Sequence, residues 1–352
     1  MKIIFLYTRL PEYFRAGVQH WVAAYGGQAR IVAYPADPDA PYHFADTENI
    51  KIVSRSSFSR AADLIAWLKA ENPDALYVAG WVDRTYLQAV RAFPHLPRII
   101  GLDNPWTGSL RQRLGAVAYG RSLRSTFTHC WVAGAPQYVF ARRLGFTDSR
   151  ILRYLYCADT ARFAEAYTRK TGRNEKQYPR TLLYVGRYVA YKNPVLLARV
   201  FSRLEADGKT NGWSLDLVGA GPLKKELEEY ASDSIRIQGF TSPDQLPERM
   251  GQAGAFCLPS RNEHWGVVIH EAAAAGLPMV LSDSCGAATE FLLHGYNGWL
   301  VPTDDEQALR AGLLRLFSAT DAELTGMGQR SAQLAQRISQ ALWAASLMRV
   351  LE

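Results

Sequence analysis

Two acidic residues, Glu263 and Glu271, flank the start of a predicted helix in the second half of the chain. A short apolar run that ends at Pro259-Ser260 predicts a buried strand delivering a loop. The periodic run from Val267 to Ala275 predicts a helix, and Gly266 lies just ahead of it. The first N–H groups of a helix have no intrahelical partners, and the helix dipole makes that end positive. Because Gly266 carries no side chain, a phosphate group could bind there.

The two carboxylates lie on either side of this predicted phosphate site. Helical side chains lean toward the helix N-terminus, so Glu271 would reach groups bordering the phosphate, and a ribose diol suits a carboxylate acceptor. Glu263 could accept a hydrogen bond from a sugar hydroxyl. The sequence therefore predicts a nucleotide-sugar site, whose members here are Glu263, Glu271, the backbone amides of Gly266, Val267 and Val268, and the loop residues His264 and Trp265. His270, within the helix, is expected to be structural.

This stretch resembles the E-x7-E retaining glycosyltransferases of the GT-B fold, in particular the large bacterial family 4. The resemblance rests on Glu263 and Glu271 within PSRNEHWG and EAAAAGLP, on the Gly286-to-Glu290 segment, and on the run GYNGWLVP. It implies a metal-independent retaining glycosyltransferase that requires no cofactor and takes a nucleotide-sugar donor, expected to be UDP-linked. In such enzymes the donor's own phosphate is thought to take the proton of the acceptor hydroxyl, so no protein nucleophile is needed.

A pair of cations precedes this stretch, in the run LLYVGRYVAYKN. Alone, Arg187 and Lys192 would be interpreted as solvated surface residues. With Gly186, however, they have the spacing of the family's G-R-x4-K diphosphate clamp. Two cations at a strand end could neutralise a diphosphate and stabilise the charge that grows on the leaving group. The resemblance therefore implies that Arg187, Lys192 and Glu263 are the catalytic residues.

Two glycine-containing turns also match the family. Gly219 lies in LVGAGPL, which matches the V-G-x-G-P-L turn, where glycines let a loop approach the nucleotide. The same run superficially resembles the dinucleotide fingerprint G-x-G-x-x-G, but Lys224 occupies the third glycine position, which disfavours a Rossmann oxidoreductase. Gly239-Phe240-Thr241 follows a predicted strand and resembles the segment that contacts the base through its backbone.

The first half departs from the family at two places where an acceptor is expected to bind. Asp103-Asn104 ends a predicted strand where many relatives carry a histidine, which leaves its role open between orienting an acceptor and forming a helix-entry turn. Many relatives have a Gly-Gly pair after the first strand, whereas this chain has RLPEYFRAG, with Arg9 and only Gly17. These four residues are the acceptor candidates.

Other acidic patterns have alternative interpretations. Asp37-Pro38-Asp39 is a D-x-D, the metal signature of GT-A glycosyltransferases, but Pro38 and Pro41 favour a turn in which Asp bonds the backbone, so no metal site is predicted. A retaining glycosidase would hold its two carboxyl groups about 5 Å apart, and a phosphate site between them favours a phosphorylated donor instead. Two alternatives stay open: another GT-B activity, such as a sugar-nucleotide epimerase, and a nucleotide-sugar-binding protein that has lost catalysis.

The chain of 352 residues is long enough for two domains. Alternating strand-like and helix-like runs predict a Rossmann-like acceptor domain over residues 1–166, and the alternation restarts over 181–335 as a donor domain. The polar stretch 167–180 is interpreted as the linker between them. The resemblance implies that the two domains face each other across a cleft, and that residues 336–352 form a helix crossing back to the N-terminal domain.

The whole net charge of +7 lies in the first half, where residues 1–165 hold 20 basic and 13 acidic side chains. Nucleic acid, an anionic membrane or an acidic acceptor could each use this excess, although a basic solvated surface explains it equally. Family habit favours a glycan or lipid-linked glycan acceptor in bacterial surface polysaccharide or lipopolysaccharide assembly, and no nucleic acid. The predicted helix over 109–124 leaves open a peripheral contact with an anionic membrane, beside an ordinary snorkelling surface, through its arginines Arg111, Arg113, Arg121 and Arg124.

Targeting signals are not evident in the sequence. The N-terminal apolar run is shorter than a signal peptide requires, and no segment approaches the roughly 18 apolar residues of a membrane span. Cys130, Cys157, Cys257 and Cys285 show no C-x-x-C spacing, which favours reduced, buried thiols. A cytoplasmic location is expected, with contact to the inner face of the cell membrane left open.

Overall fold

The computed structural model describes residues 1–35, 45–172 and 178–351. The chain divides into two compact units. Unit 1 comprises Met1–Cys157 and Gln340–Glu352, and unit 2 comprises Ala158–Ser339. Each unit contains one parallel β-sheet with helices packed against it, so the predicted fold class, α/β with two Rossmann-like domains, is confirmed.

Unit 1 contains a seven-stranded sheet with the order β3-β2-β1-β4-β5-β6-β7, and all neighbouring strands are parallel. Near-continuous apolar runs such as ALYVA and RIIGL form its central strands, as expected of a sheet buried on both faces. The strands are Lys2–Leu6 (β1), Gln28–Ala33 (β2), Ile50–Ser54 (β3), Ala75–Ala79 (β4), Arg98–Leu102 (β5), His129–Val132 (β6) and Ile151–Leu152 (β7).

Among its described residues, unit 1 has six α-helices, and the last of them comes from residues 340–348. On this helix, Trp343 lies against Gly17, its ring centroid is 4.7 Å from that of Trp131, and its indole N–H donates to the Leu155 carbonyl at 2.9 Å. The C-terminal helix therefore belongs to the N-terminal unit. The helices are Glu12–Tyr25 (α1), Ala61–Glu71 (α2), Arg84–Arg91 (α3), Leu110–Thr126 (α4), Ala135–Arg143 (α5) and Gln340–Met348 (α14).

Unit 2 contains a six-stranded parallel sheet with the order β10-β9-β8-β11-β12-β13. Its strands are Thr181–Val185 (β8), Ser214–Val218 (β9), Ile235–Gln238 (β10), Ala255–Leu258 (β11), Met279–Ser282 (β12) and Gly298–Val301 (β13). Its helices are Thr160–Gly172 (α6), Pro194–Ala206 (α7), Lys224–Glu228 (α8), Leu246–Gln252 (α9), Val267–Ala274 (α10), Ala288–Phe291 (α11), Glu306–Ser318 (α12) and Asp321–Ala335 (α13).

The strand order creates one topological switch point in each sheet. β1 lies between β2 and β4, and β8 lies between β9 and β11. The chain leaves each of these strands toward one side of the sheet and later returns on the other side. Doubly wound sheets bind ligands at the carboxyl ends of the two strands that flank such a point. The ends of β8 and β11 in unit 2, and of β1 and β4 in unit 1, are therefore the places to search for sites.

The domain boundaries differ from those predicted. Residues 167–180 are not a free linker over their described part, because α6 extends to Gly172. Tyr178 is also fixed, since its N–H donates to Asp321 at 3.1 Å and its hydroxyl donates to the Gly254 carbonyl at 2.7 Å. The sequence analysis missed this helix because the run that begins at residue 167 is polar. Phe163, a buried residue of α6, comes before that run. Unit 2 accordingly begins at residue 158, before the predicted end of the first domain at 166, and the returning segment begins at 340 rather than 336.

Within the described ranges, no helix is long and apolar enough to cross a bilayer. The four cysteine side chains are all buried, as predicted.

Candidate functional site

The carboxyl ends of β8 and β11 bring two predicted donor segments together. Gly186 and Arg187 follow β8 directly, and the loop after β11 carries Glu263. The two strands pair directly, with Phe256 opposite Leu183. The predicted clamp and the first predicted acid therefore lie at the switch point of the unit 2 sheet.

Lys192 and Glu263 form an ion pair in this crevice. Only 16% of the Lys192 side chain and 11% of the Glu263 side chain are exposed, so water screens the pair weakly. The sequence predicted a diphosphate contact for Lys192 and a sugar contact for Glu263, but it did not predict this contact between them. A phosphate bound beside Lys192 would share its ammonium group with the Glu263 carboxylate.

Gly266 brings the start of α10 close to this acid. Its φ is +88°, a left-handed conformation that favours glycine. A Cβ there would lie 2.9 Å from Glu263 Cγ, so a side chain would displace the carboxylate. The N–H groups of Gly266, Val267 and Val268 have no acceptor among the residues that the structure describes. These three amides form the predicted anion-binding end of the helix.

A second loop, which follows β12, braces the acidic loop. The Gly286 N–H donates to the Glu263 carbonyl at 3.0 Å, and the Ala287 N–H donates to the Trp265 carbonyl at 2.8 Å. Glu263 also forms an isolated parallel bridge with Cys285. The Gly286-to-Glu290 segment therefore holds the backbone of residues 263–265 in place.

The side chain of Trp265 is not available to a ligand, contrary to the prediction. It is 2% exposed and packs edge-on against Phe291, with ring centroids 6.4 Å apart. Its apolar ring packs in the core, whereas the neighbouring His264 in the same loop is half-buried. Of these two predicted sugar contacts, only His264 keeps accessible side-chain surface.

His270 is structural, as predicted. The Ala158 N–H donates to its Nδ1 at 3.1 Å, and its Nε2 lies 2.9 Å from the Ala335 carbonyl oxygen. The ring stacks on Phe291 with centroids 4.1 Å apart. Burial lowers the pKa of His270 to about 4, so the imidazole is neutral at pH 7. It connects α10 to the start of unit 2 and to the end of α13.

Tyr191, which the sequence analysis missed, links the clamp to the acidic loop. The exposed Arg187 donates to the Tyr191 hydroxyl, and its guanidinium lies 5.5 Å from the ring centroid. The Tyr191 carbonyl accepts from the Arg261 N–H at 2.7 Å and from the Asn262 N–H at 3.3 Å. Tyr191 immediately precedes Lys192, and this position in the G-R-x4-K spacing was the available signal.

The glycine turn after β9 has a different role from the one predicted. A Cβ at Gly219 would collide with the Gly186 carbonyl oxygen. The Gly186 N–H donates to the Val218 carbonyl at 3.0 Å, and the Tyr188 N–H donates to the Ala220 carbonyl at 2.8 Å. The turn therefore packs backbone to backbone on the loop after β8. Gly219 supports the clamp, and this packing by itself requires a residue without a side chain.

The segment after β10 reaches the same edge of the sheet. Gly239 is exposed with open space at its Cβ position, and Thr241 is buried. Phe240 presents an aromatic side chain that is 44% exposed. An exposed ring beside an open backbone suits a planar base, so the predicted base-binding segment is placed where such contact is feasible.

Glu271 lies one turn inside α10 and is half-buried. Burial raises its pKa to about 7, and nearby Asp159 raises it further, while Arg162 opposes the shift. The carboxyl group is therefore near the midpoint of its titration at neutral pH. A ligand that donates hydrogen bonds to the carboxylate would favour the ionised form.

In unit 1, tyrosine hydroxyls gather around Asp103. Tyr156 donates to Asp103 Oδ2 at 3.2 Å, and Tyr7 is hydrogen-bonded to both Tyr156 and Tyr77. Burial raises the pKa of all three tyrosines, so they are neutral at pH 7. Asp103 thus ends a hydroxyl chain at the carboxyl edge of the sheet, and its role in orienting an acceptor stays a prediction. The sequence signal was tyrosine within otherwise aliphatic strand ends.

The other acceptor candidates differ in accessibility. Arg9 follows β1 and is exposed, and Asn104 is half-buried beside Asp103. Gly17 is buried, and a Cβ there would lie 3.0 Å from Trp343 Cδ2. Gly17 therefore makes room for the Trp343 ring and is not an acceptor contact, which corrects the prediction.

Asp37 and Asp39 lie outside the described residues. Within residues 1–35, 45–172 and 178–351, no three or more His, Cys, Asp or Glu side chains are grouped to hold a metal ion.

Most of unit 2 matches a known protein family in sequence. Residues 165–333 match the family model for glycosyl transferases group 1. Unit 2 is a glycosyl transferases group 1 domain. The match begins in α6 and ends in α13, and it contains the clamp, the acidic loop and α10. The finer assignment to family 4 agrees with this result.

Curated relatives match this chain over part of their own length. The amylovoran biosynthesis glycosyltransferase AmsK of Erwinia amylovora is 34% identical over 28% of this chain and 27% of its own. The phosphatidyl-myo-inositol mannosyltransferase of Mycolicibacterium smegmatis is 31% identical over 50% and 46%. The D-rhamnosyltransferase WbpZ of Pseudomonas aeruginosa is 29% identical over 59% and 55%. The chain thus matches from about a quarter to about half of the length of these relatives.

Solved structures match the whole chain in fold. HepE of Anabaena in complex with UDP has a TM-score of 0.74 at 15% identity and covers 99% of this chain and 98% of its own. A glycosyltransferase from Rickettsia africae ESF-5 has a TM-score of 0.73 at 13% identity, covering 99% and 97%. The fold class is that of the GT-B glycosyltransferases.

Proposed function

We propose that this protein is a retaining glycosyltransferase in which unit 2 binds a nucleotide-sugar donor and unit 1 binds an acceptor that carries a hydroxyl group. The observation that carries the proposal is the grouping at the unit 2 switch point. The amides of Gly266, Val267 and Val268, which have no acceptor within the described part of the chain, adjoin the shielded Lys192–Glu263 pair, and Glu271 lies on the same helix. A diphosphate with a sugar on each side has the charges and hydroxyls that match this set.

Each donor group is assigned by its chemistry. The amides and the two cations, Lys192 and Arg187, would neutralise the diphosphate, since backbone N–H groups and fixed cations stabilise anionic oxygens. Glu271 would accept from the ribose diol. Glu263 would accept from a hydroxyl of the transferred sugar, and its ion pair with Lys192 fixes the direction of its carboxylate.

The chemistry of transfer follows from this assignment. When the glycosidic bond to phosphate breaks, negative charge grows on the leaving diphosphate, and Lys192 with the helix N-terminus stabilises it. We propose retention of configuration, with the leaving phosphate taking the acceptor proton on its own face. No residue of the chain then has to act as nucleophile, and no cofactor or metal ion is expected to be required.

UDP is the nucleotide that we propose. HepE, which matches in fold, is named in complex with UDP and glucose, and a pneumococcal O-GlcNAc transferase of the same fold is named in complex with UDP and GlcNAc. AmsK is named for amylovoran biosynthesis and WbpZ as a D-rhamnosyltransferase, and we propose a glycan or lipid-linked glycan acceptor in bacterial surface polysaccharide assembly. We place this activity in the cytoplasm, peripherally on the inner face of the cell membrane.

Thermal stabilisation by nucleotides tests the donor site. UDP, GDP, ADP and dTDP would each be added, with and without EDTA, to the wild type and to Glu271→Ala. A ligand present at 100 times its dissociation constant stabilises the folded state by about 2.7 kcal/mol. We expect a shift with UDP that persists in EDTA and disappears in the variant. A shift that requires divalent metal would contradict a metal-independent site. A shift with GDP alone would show that the donor nucleotide is GDP and not UDP.

Turnover distinguishes the alternatives. An epimerase would convert UDP-sugar without any acceptor, and a non-catalytic binding protein would bind donor without releasing UDP. A transferase releases UDP only when an acceptor fraction is present. The anomeric coupling of the product sugar, measured by NMR against that of the donor, tests retention directly.

A further inference from the structure

Helix α4 of unit 1 has one face fixed in the core. Leu123 belongs to the buried core, and Ala116 packs against it. Gly120 approaches Leu144 so closely that a Cβ would lie 2.8 Å from its carbonyl oxygen. At 100° per residue these three positions fall within an arc of about 60°. The rotation of the helix is therefore set, and the opposite face must point away from the core.

A face centred about 120° around the helix from this core-facing arc carries three large apolar side chains. Leu110, Leu114 and Val117 are 72%, 64% and 83% exposed. They have i, i+4, i+7 spacing and share an arc of about 60° that does not overlap the arc facing the core. A single exposed apolar residue is ordinary, but a continuous apolar stripe on a fixed helix is typical of an interaction surface. Leu110, Leu114 and Val117 are called the apolar stripe below.

Basic side chains border the apolar stripe. Arg113, Arg121 and Arg124 fall within an arc of about 80° that overlaps it, and Arg111 lies at one side. All four are exposed, and the helix LRQRLGAVAYGRSLRST contains no acidic residue. Among the described residues, none of the four forms an ion pair, although Arg124 donates to the Gly145 carbonyl at 3.4 Å.

We propose that this face of α4 binds the surface of an anionic phospholipid bilayer, with the apolar stripe at the acyl-chain boundary and the arginines on lipid phosphates. Insertable apolar side chains together with exposed guanidinium groups that have no carboxylate partner among the described residues fit such a surface. A second copy of this chain is disfavoured as the partner, because a twofold contact through the same face would bring like charges together. The proposal deepens the peripheral membrane location given under the proposed function, on which its setting rests, and uses no residue of the donor site.

Vesicle sedimentation with the full chain tests the surface. The probes are vesicles of phosphatidylcholine alone and vesicles that also contain phosphatidylglycerol, at low and high NaCl. We expect binding to the anionic vesicles that weakens as salt rises, because exposed charges are screened. Leu110→Ser/Leu114→Ser/Val117→Ser should lower the partition coefficient about tenfold or more, since three exposed side chains lose their insertable surface. Arg113→Gln/Arg121→Gln should lower it about fivefold per charge, and only on anionic vesicles.

Val82→Ser and Arg84→Gln are matched controls. Val82 is 83% exposed, as Val117 is, and Arg84 is exposed in the same unit, but neither lies on α4. These controls should bind vesicles like the wild type. The proposal is overturned if the wild type binds neutral and anionic vesicles equally, or if the stripe variant binds anionic vesicles as tightly as the wild type. It is also overturned if sedimentation equilibrium shows a dimer that the stripe substitutions dissociate.

UDP binding measured on the same samples separates this proposal from the proposed function. A stripe variant that binds UDP normally but not vesicles supports the surface. A wild type that binds vesicles but no nucleotide contradicts the donor site and leaves the surface supported.

Discussion

The carboxyl edges of the two sheets present polar groups of different kinds. In unit 2 the edge at β8 and β11 carries formal charges, in the Lys192–Glu263 pair, and backbone amides at the start of α10. In unit 1 the edge carries a chain of neutral, largely buried tyrosine hydroxyls, and the last of them, Tyr156, donates to the carboxylate of Asp103. A charged edge suits a diphosphate, whereas a hydroxyl-lined edge suits an uncharged polyhydroxyl ligand. The same architecture thus supports two recognition chemistries, and substitutions in each edge should affect different ligands.

The largest effect is expected at Lys192. Lys192→Met removes the cation that would stabilise the leaving diphosphate and leaves Glu263 buried without its partner, so kcat should fall about 10²- to 10³-fold. Lys224→Met is the matched control, because Lys224 pairs with Glu228 at 3.5 Å on an exposed surface of the same unit. Steady-state kinetics and UDP calorimetry measure both variants. A nearly normal kcat in Lys192→Met would contradict a role for Lys192 in stabilising the leaving diphosphate.

The charged edge was largely predictable from the sequence, because its members lie in short local motifs. Glu263 and Glu271 lie on one loop and the first turns of α10, and Gly186 and Lys192 lie on the loop that follows β8. Such short stretches keep their sequence neighbours close in space. The Lys192–Glu263 contact was not predictable, because it joins residues 71 positions apart. Trp265 shows the opposite failure: its place in the motif suggested a ligand contact, but a large apolar ring is stabilised more by burial.

The hydroxyl edge was not predictable in the same way. Tyr7, Tyr77, Asp103 and Tyr156 come from four separate strands or strand ends, and only the completed sheet brings them together. No local pattern connects them. Gly17 was assigned to the acceptor because of its position after β1, whereas its neighbour in space is Trp343, from the far end of the chain. Sequence reasoning therefore failed at residues whose environment is set by long-range packing.

The next effect in size is expected at Glu271. Glu271→Gln replaces a group that would accept two ribose hydrogen bonds, so UDP affinity should fall about tenfold. Glu229→Gln, at an exposed position of the same unit, should leave the affinity unchanged. Calorimetric titration with UDP at pH 8 measures the difference. Equal affinity in Glu271→Gln and the wild type would place the ribose elsewhere.

The same substitution changes the dependence of stability on pH. The pKa of Glu271 is raised to about 7 in the folded protein from 4.5, so the folded state holds more protons than the unfolded state between those values. Stability from this group is therefore lost as pH rises through that window. Glu271→Gln should be more stable than the wild type at pH 8 by about 1–3 kcal/mol, and the difference should disappear near pH 4. Denaturant unfolding at both pH values tests this; a variant that is less stable at pH 8 would contradict the raised pKa.

A smaller effect is expected at the hydroxyl edge. Tyr156→Phe removes the hydroxyl that donates to Asp103 and keeps the aromatic ring, which packs against Tyr13 at 5.2 Å. Because one neutral donor is lost, KM for the acceptor should rise about three- to tenfold while UDP affinity stays unchanged. Tyr138→Phe is the control, since Tyr138 also donates to an aspartate, Asp148, but at an exposed position. A Tyr156→Phe variant that weakens UDP binding instead of acceptor binding would contradict the proposal that the two edges bind different ligands.

The smallest effect on ligand binding is expected at His270, which lies one residue before Glu271 but faces the core. His270→Leu leaves the Ala158 N–H and the Ala335 carbonyl without their partner, which should destabilise unit 2 by about 2–4 kcal/mol. The folded-state pKa of about 4 lies below the ordinary 6.5, so in the wild type the stability contributed by neutral His270 is lost as pH falls through that interval. The variant should lack this slope and, where it remains folded, should bind UDP with wild-type affinity. Unfolding curves at pH 5 and pH 7, paired with UDP titration, distinguish the two adjacent residues. A His270 variant that lost UDP binding while fully folded would show that the core-facing side of α10 also shapes the donor site, and the charged edge would then extend deeper into the domain than its surface residues indicate.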